Sequence, residues 1–253
     1  SPMEVPEGPW LFWVYGVEDE VFVVGEGGRA IHRTGDGEFV AMETPTDLPL
    51  WGVWGPSADQ IYAVGGEARD PNGTAALLEW DGMSWSMLEM PELDRDISTL
   101  FKVWGTGPDD VFAVGQRGVI IHFDGTEWSQ QSAGTTDDII SLWGTGPNDI
   151  VAVGGRANGL VARYDGESWT SQLLPGIQGL NGVWVDDDGT AHIAGNRGTL
   201  LRMGSGSFDV IEEPFESTLV LHGMWGIHGG SRWSVGGSLL LPPPYEGLAI
   251  VDP

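Results

Sequence analysis

The sequence predicts an all-β protein, and three observations support this prediction. Short runs of β-branched and aromatic residues, each of strand length, recur along the chain. Gly, Pro and Asp separate these runs, as is typical of turns. The third observation is a repeat. The stretch 101–129, FKVWGTGPDDVFAVGQRGVIIHFDGTEWS, contains four such runs, and related stretches precede and follow it. Each repeat is therefore expected to form a four-stranded antiparallel sheet.

Two markers give the number of repeats: an aromatic residue on the first strand, and a glycine that follows it. The two are 11 residues apart in five of the six units and 10 apart in the first. Successive marker glycines are 40, 50, 39, 41 and 41 residues apart. A period near 40 with four strands is typical of β-propeller blades, so the sequence predicts a six-bladed β-propeller. The aromatic markers are Tyr15, Trp54, Trp104, Trp143, Trp184 and Trp225, and the marker glycines are Gly25, Gly65, Gly115, Gly154, Gly195 and Gly236.

The predicted blades cover the chain as a single domain, 1–253. Their approximate ranges are 11–43, 48–91, 98–132, 138–174, 179–213 and 219–253. The sixth range has three strands, and its proline-rich stretch Ser238–Gly247 cannot be regular strand. The segment Ser1–Pro6 resembles the ends of other units. We therefore expect this N-terminal strand to complete the C-terminal blade, which would remove exposed sheet edges.

Composition excludes several classes of function. No cysteine is present, which excludes disulfides, thiolate metal sites and a cysteine nucleophile. A net charge of −26 opposes binding to nucleic acid and to anionic membranes, and its simplest explanation is solubility. No apolar run approaches the length of a membrane helix, so we expect no transmembrane segment in this chain.

The repeat V-W-G-x-G-P-x-D-V-x-A-V-G-x-x-G-x-I-x-H-x-D-G-x-x-W, best carried by 104–128, resembles that of secreted bacterial propeller proteins, many of them predicted lipoproteins. The resemblance implies a bacterial, extracytoplasmic protein, secreted or in the cell envelope, and it brings no common enzymatic activity. The element D-G-x-x-W at 81–85, 124–128 and 165–169 is similar to the Asp-box turn of six-bladed sialidases and photosystem assembly-factor propellers. Its Asp is expected to cap the turn before the fourth strand, and its Trp to pack between blades.

Five arginines follow the marker glycine by two or four residues, in the turn between the second and third strands. In a propeller these turns share a face with the connections between blades, and that face usually carries the binding site. Guanidinium groups suit carboxylate or phosphate oxygens, which predicts a shallow anion or sugar site. The alternative is structural: ion pairs with acidic connections such as Asp94, Asp96, Asp137 and Asp138, or a turn preference inherited from one ancestral unit. The five are Arg29, Arg69, Arg117, Arg156 and Arg197.

The residues just before each aromatic marker vary most between units, as expected for a site on a repeated scaffold. We expect them near the mouth of the central channel, on the arginine face, where polar groups among aromatics form a ligand surface. The aromatic markers themselves are expected to pack in the core. The predicted mouth residues are Trp51, Phe101, Lys102, Asn181 and His222, with Trp13 and Ser141 at related positions.

The histidines do not indicate a metal centre. His192 takes the second-strand position of Phe112 and is expected in the core, while His32 and His122 belong to separate blades. No cofactor is expected, although the run Asp186–Asp188 could hold calcium.

Two hypotheses follow. The first is a monomeric, non-catalytic binding or scaffold propeller that recognises a glycan, an anionic small ligand or a protein partner. The second is a sialidase-like glycoside hydrolase, whose chemistry needs an arginine cluster, a Tyr nucleophile and a separate acid. Tyr245 and Glu246 could take such roles, but the stretch GEGGRAIHR lacks the arginine motif of sialidases. The sequence favours the first hypothesis and leaves the question of catalysis open.

Overall fold

A computed structural model describes residues 4–213, 215, 217–238 and 246–252. In this part of the chain, every regular element is a β-strand except three short 3-10 turns. The described segments include no helix with the length and apolar character needed to cross a membrane. The chain divides into two compact units, 1–131 and 132–253, with the boundary inside β12, and each unit is described by itself.

Unit 1 contains three antiparallel sheets of four strands, in which each strand pairs with the next along the chain. These are blades one to three. Blade one consists of β1 (Leu11–Val17), β2 (Glu20–Gly25), β3 (Ala30–Thr34) and β4 (Val40–Met42); blade two of β5 (Leu50–Ser57), β6 (Gln60–Gly66), β7 (Ala75–Trp80) and β8 (Trp85–Met87); and blade three of β9 (Leu100–Gly107), β10 (Asp110–Gly115), β11 (Val119–Phe123) and β12 (Trp128–Ser132).

Unit 2 contains blades four to six, and the sixth has three strands in the described residues. Blade four consists of β13 (Ile139–Gly146), β14 (Asp149–Gly154), β15 (Gly159–Tyr164) and β16 (Trp169–Leu174); blade five of β17 (Leu180–Val185), β18 (Ala191–Gly195), β19 (Leu200–Met203) and β20 (Val210–Glu212); and blade six of β21 (Val220–Gly226), β22 (Arg232–Gly237) and β23 (Gly247–Asp252).

The core of each unit lies between neighbouring blades. In unit 1, Phe22 and Val24 of blade one pack with Leu50 and Ile61 of blade two. The corresponding cluster of unit 2 joins blades four and five and includes Val151, Val183 and Ile193. The second strand of blade two, β6, is buried from Ile61 to Gly66 because blades one and three of unit 1 pack against it from both sides, which explains its continuous apolar sequence.

In two blades the glycine after the aromatic marker makes room for the aromatic ring of the preceding blade. A Cβ at Gly105 would lie 2.8 Å from Cη2 of Trp54, and one at Gly226 would lie 2.7 Å from Cζ3 of Trp184. At these two positions glycine follows the aromatic marker because a larger residue would overlap the neighbouring ring.

The prediction that the first-strand tryptophans are core residues is confirmed for Trp54, Trp104 and Trp184, which are buried. It is wrong for Trp225, whose side chain is 52% exposed. Trp225 belongs to the last blade of the chain, and the described residues of unit 2 include no later blade that could cover it.

The aspartate of each D-G-x-x-W element caps its turn, as predicted. Asp81 Oδ1 accepts hydrogen bonds from the backbone N–H groups of Met83 (2.9 Å) and Ser84 (2.8 Å), and Asp124 and Asp165 repeat this arrangement. These backbone donors lower the pKa of all three carboxyl groups. In unit 1, Trp85 donates to Met42 Sδ (3.5 Å) and Trp128 packs against Tyr62, so both tryptophans join neighbouring blades.

The predicted closure by Ser1–Pro6 stays a prediction. Residues 1–3 lie outside the described residues, and residues 4–6 are not in a strand. Most of the predicted excursion at 238–247 also lies outside the described residues, because the structure does not describe residues 239–245.

Candidate functional site

Each of the six blades carries a β-bulge at the same position of its first strand. In blade two, Leu50 pairs with Gly65 and Gly52 pairs with Val64, so Trp51 is the extra residue between them. The same irregularity recurs three residues before every aromatic marker. An extra residue has no partner in the ladder, so a bulge redirects its side chain without changing the pairing around it. The six bulge residues are Phe12, Trp51, Phe101, Ile140, Asn181 and His222.

The marker glycines belong to the same irregularity. Gly154 pairs with Ile139, and a Cβ at Gly154 would overlap the carbonyl oxygen of Asp138. The other marker glycines likewise face the carbonyl of the residue two positions before the bulge residue. Their recurrence therefore reflects close backbone approach beside the bulge.

Four of the five predicted mouth residues, Trp51, Phe101, Asn181 and His222, occupy bulge positions. The fifth, Lys102, is the next residue along and lies within the ladder, paired with Val114. Sequence reasoning missed Phe12 and Ile140, although their distance from the aromatic marker would have identified them. Sequence reasoning assigned the bulge position and the next position, such as Phe101 and Lys102, to one group. The composition of the strand does not reveal which residue is the extra one.

The bulge residues of unit 1 are aromatic. The rings of Phe12 and Trp51 stack with centroids 4.5 Å apart and planes at 9°, and the indole N–H of Trp51 donates to the carbonyl of Gly66 at 3.0 Å. Phe101 is half-buried. Stacking between neighbouring blades fixes these rings and leaves part of each exposed, which suits contact with an apolar group of a ligand.

Lys102 reaches across blade two to blade one. Its Nζ lies 2.9 Å from the centroid of the Trp13 ring. Gly52 of blade two occupies the same repeat position as Trp13 in blade one and Lys102 in blade three. A Cβ at Gly52 would meet the carbonyl oxygen of Phe101 at 3.0 Å. The lysine side chain is buried, and this burial lowers the pKa of its amine well below the ordinary value.

The bulge residues of unit 2 are more polar. Asn181 donates from Nδ2 to the carbonyl of Leu221 (2.9 Å) and to Oδ1 of Asn196 (3.1 Å). His222 is exposed at the surface, yet neighbouring atoms desolvate its ring enough to lower its pKa. Ile140 is half-buried. Unit 2 therefore presents hydrogen-bonding groups where unit 1 presents aromatic rings.

The arginine turns lie beside the connections between blades, as predicted. In unit 1 the N–H of Gly28 donates to Leu48 O (2.9 Å), and in unit 2 the N–H of Gly198 donates to Leu219 O (2.8 Å). Arg117 and Arg197 adopt left-handed backbone conformations, with φ of 55° and 54°. An L residue costs about 1–2 kcal/mol in this conformation, so both positions store strain.

The arginine side chains differ in their partners. Arg29 donates to the carbonyls of Pro6 and Pro9, so the N-terminal segment holds it. Arg156 forms a 2.7 Å ion pair with Asp138, as the structural alternative expects, whereas Arg117 donates to the backbone carbonyl of Asp96 at 3.1 Å. Arg69 and Arg197 are exposed and form no ion pair with any residue that the structure describes.

The histidines are placed largely as predicted. His192 is 2% exposed, and burial, followed by the charge of Arg232, lowers its pKa to about 4. His32 and His122 each pair with an acidic residue of their own blade, Glu20 and Asp110 respectively. These rings serve packing within separate blades.

Within the described part of the chain, one group of side chains could hold a metal ion, and sequence reasoning identified only part of it. Asp186, Asp187 and His228 of unit 2 have ligand atoms within 4.8 Å of one another. Nδ1 of His228 lies 3.3 Å from Asp186 Oδ1 and 3.0 Å from Asp187 Oδ1, distances at which a direct hydrogen bond also accounts for the contact. A nitrogen ligand suits zinc-like metals better than calcium. The calcium site predicted at Asp186–Asp188 stays a prediction.

Tyr245, the candidate nucleophile of the alternative hydrolase, lies outside the residues that the structure describes.

Comparison with known proteins shows the fold. A scan of protein-family models and a search of curated protein sequences return no match. Among solved structures, one described as YCF48 bound to D1 peptide aligns with a TM-score of 0.69 and 14% identity, covering 93% of this chain and 77% of that one. Another, YCF48 from Cyanidioschyzon merolae, aligns with a TM-score of 0.66 and 15% identity, covering 88% of this chain and 78% of that one. At this identity the likeness concerns the fold alone, and it confirms the prediction that the chain is a six-bladed β-propeller.

Proposed function

We propose that this protein is a non-catalytic binding propeller that recognises an extended, acidic segment of a partner protein. The bulges carry this proposal. All six blades place an extra residue at the same point of the first strand, and its type varies between blades. β-Bulges are frequent beside active sites, where they redirect a side chain.

The arginine turns support an acidic ligand. Arg69, Arg117 and Arg197 are exposed, in a chain with 11 basic and 37 acidic residues. Arg117 and Arg197 adopt a backbone conformation that glycine would adopt more easily. A guanidinium group forms paired hydrogen bonds with a carboxylate, so these turns suit Asp and Glu side chains.

The aromatic bulge residues support a peptide as the ligand. Phe12 and Trp51 offer a stacked apolar surface beside the polar backbone of the bulge, which suits the alternating side chains of an extended chain. The structurally similar YCF48 is described as bound to a peptide. Glycans also stack on aromatic rings, so the experiment must distinguish a glycan ligand from a peptide ligand.

Selection from a displayed library of random peptides, with a glycan array in parallel, tests this proposal. We expect the enriched peptides to contain Asp or Glu near an aromatic or aliphatic residue. Arg117→Ala should weaken their binding about tenfold or more, because a charged hydrogen bond contributes roughly 1.5–3 kcal/mol. Arg202→Ala removes an exposed arginine from a strand and serves as the matched control.

Three outcomes would contradict the proposal. These are enrichment without acidic residues, equal effects of the two arginine substitutions, and binding confined to glycans. Turnover of a glycoside by the purified protein would instead favour the hydrolase. The repeat also leads us to propose an extracytoplasmic location, which fractionation of the source cells with a specific antibody would check.

A further inference from the structure

Lys102 is the sole lysine of the chain, and its amine is buried. The side chain is 8% exposed, and its amine lies against the Trp13 ring. Among the residues that the structure describes, no carboxylate forms an ion pair with it, although the chain contains 37 acidic residues. No charged side chain contributes to its pKa, which burial alone lowers.

Such an arrangement is unfavourable for the fold. A buried ammonium without a paired carboxylate costs several kcal/mol, whereas an aromatic ring returns about 2 kcal/mol. A methionine of similar length would fill the space at no electrostatic cost. Buried ionisable groups with strongly perturbed pKa values cluster at functional sites, which makes Lys102 a candidate binding residue.

The surroundings of Lys102 define what the partner would be. The aromatic bulge residues Phe12, Trp51 and Phe101 immediately precede Trp13, Gly52 and Lys102 on the three first strands of unit 1. Gly52, which has no Cβ, lets the Phe101–Lys102 backbone of blade three approach blade two closely, and the Lys102 amine lies against the Trp13 ring of blade one. A cation against one aromatic ring, at a blade end that carries three further aromatic residues, fits an anionic oxygen pair carried on an apolar body.

We propose that Lys102 and Trp13 form a receptor for a carboxylate group, and that the neighbouring aromatic bulge residues bind the apolar body attached to it. This inference rests on the proposed function, because it assigns one subsite of the same blade end. The carboxylate could belong to a free small acid or to a peptide. The shared chemistry is a carboxylate next to an aromatic or aliphatic group.

The single lysine permits a direct test. Protein labelled with 13C-lysine gives one Cε signal, whose shift reports the protonation of Lys102. We would titrate pH without ligand, with phenylacetate, and with phenylacetamide, its neutral counterpart. We expect phenylacetate to raise the apparent pKa of Lys102 by about one unit or more, equivalent to about tenfold tighter binding to the protonated amine. Phenylacetamide should leave it unchanged.

Two peptides of one sequence ending in Phe, with a free or an amidated C-terminus, distinguish the sources. A larger effect of the free peptide than of phenylacetate assigns the site to a peptide, and the reverse assigns it to a small acid. Lys102→Met should abolish phenylacetate binding, as measured by calorimetry, and should raise the thermal midpoint. Arg117→Ala should leave phenylacetate binding intact.

An ordinary lysine pKa in the free protein, or equal effects of phenylacetate and phenylacetamide, would overturn the inference. So would the absence of any response to either compound, or unchanged phenylacetate binding in Lys102→Met. These results would leave the peptide selection and its dependence on Arg117 untouched, so the two proposals can fail separately.

Discussion

Arg117 and Arg197 occupy the position that Gly27 fills in blade one. All three residues follow the marker glycine by two, and all three have positive φ, from 54° to 66°. Glycine adopts this conformation without steric cost, whereas arginine does not. Two blades therefore retain a guanidinium group at the expense of stability, which is expected when the side chain has a role outside the fold.

Replacement of Arg117 by glycine and by alanine separates the backbone from the side chain. Both variants lose the hydrogen bond to Asp96 O, but only glycine relieves the positive φ. We expect Arg117→Gly to exceed Arg117→Ala in free energy of unfolding by about 1 kcal/mol, measured by urea denaturation. Equal stability of the two variants would show that the turn relaxes and stores no strain. The pair Arg197→Gly and Arg197→Ala repeats the test in unit 2.

At the scale of the element, the bulge and the marker glycine form one device. The extra residue brings the backbone that precedes the first strand against the end of the second strand, and only glycine fits at this contact. The pairing on either side continues unchanged, so the blade keeps its register while one side chain leaves the ladder.

Two glycines of blade four provide a matched comparison. In Gly154→Ala the new Cβ overlaps the carbonyl of Asp138, whereas Gly146 has no atom within 4 Å of that position. We expect Gly154→Ala to lower the free energy of unfolding by about 2–4 kcal/mol and Gly146→Ala to change it by less than about 0.5 kcal/mol. Chemical denaturation of both variants checks this. A mild effect at Gly154 would mean that the bulge can shift, and the proposed constraint on the site would then be wrong.

The blades could be predicted from the sequence, and the bulges could not. Periodic Trp, Gly and Asp residues mark strands and turns because packing and turn geometry impose them in every blade. A bulge adds one residue without changing composition, so adjacent positions such as Phe101 and Lys102 looked equivalent. The approach of Lys102 to Trp13 and of His228 to Asp186 joins residues more than 40 positions apart, and no local pattern records such contacts.

For the whole molecule, charge acts in opposite directions on folding and on binding. With a net charge of −26, the acidic side chains repel one another in the folded protein, and salt screens this repulsion. Salt also screens the attraction between the exposed arginines and an acidic ligand. Stability and affinity should therefore respond to ionic strength with opposite signs.

Thermal unfolding and peptide binding measured over the same salt series test this prediction. From low to about 0.15 M NaCl we expect a gain of about 1 kcal/mol in stability, a rise in Tm of about 2–4 °C, and a several-fold loss of affinity for a selected acidic peptide. A neutral osmolyte at equal osmolarity is the control. Affinity that is independent of salt would indicate that apolar contacts, and not the arginine turns, dominate binding.

The repeated bulge also has a consequence for protein engineering. The six extra residues take no part in the hydrogen-bonded ladders, so their residue type does not affect the pairing of the strands. A combinatorial library varied only at these six positions should retain the fold in most of its members. The same scaffold could then be directed to new ligands by substitution at single, known sites, without redesign of the strands that support them.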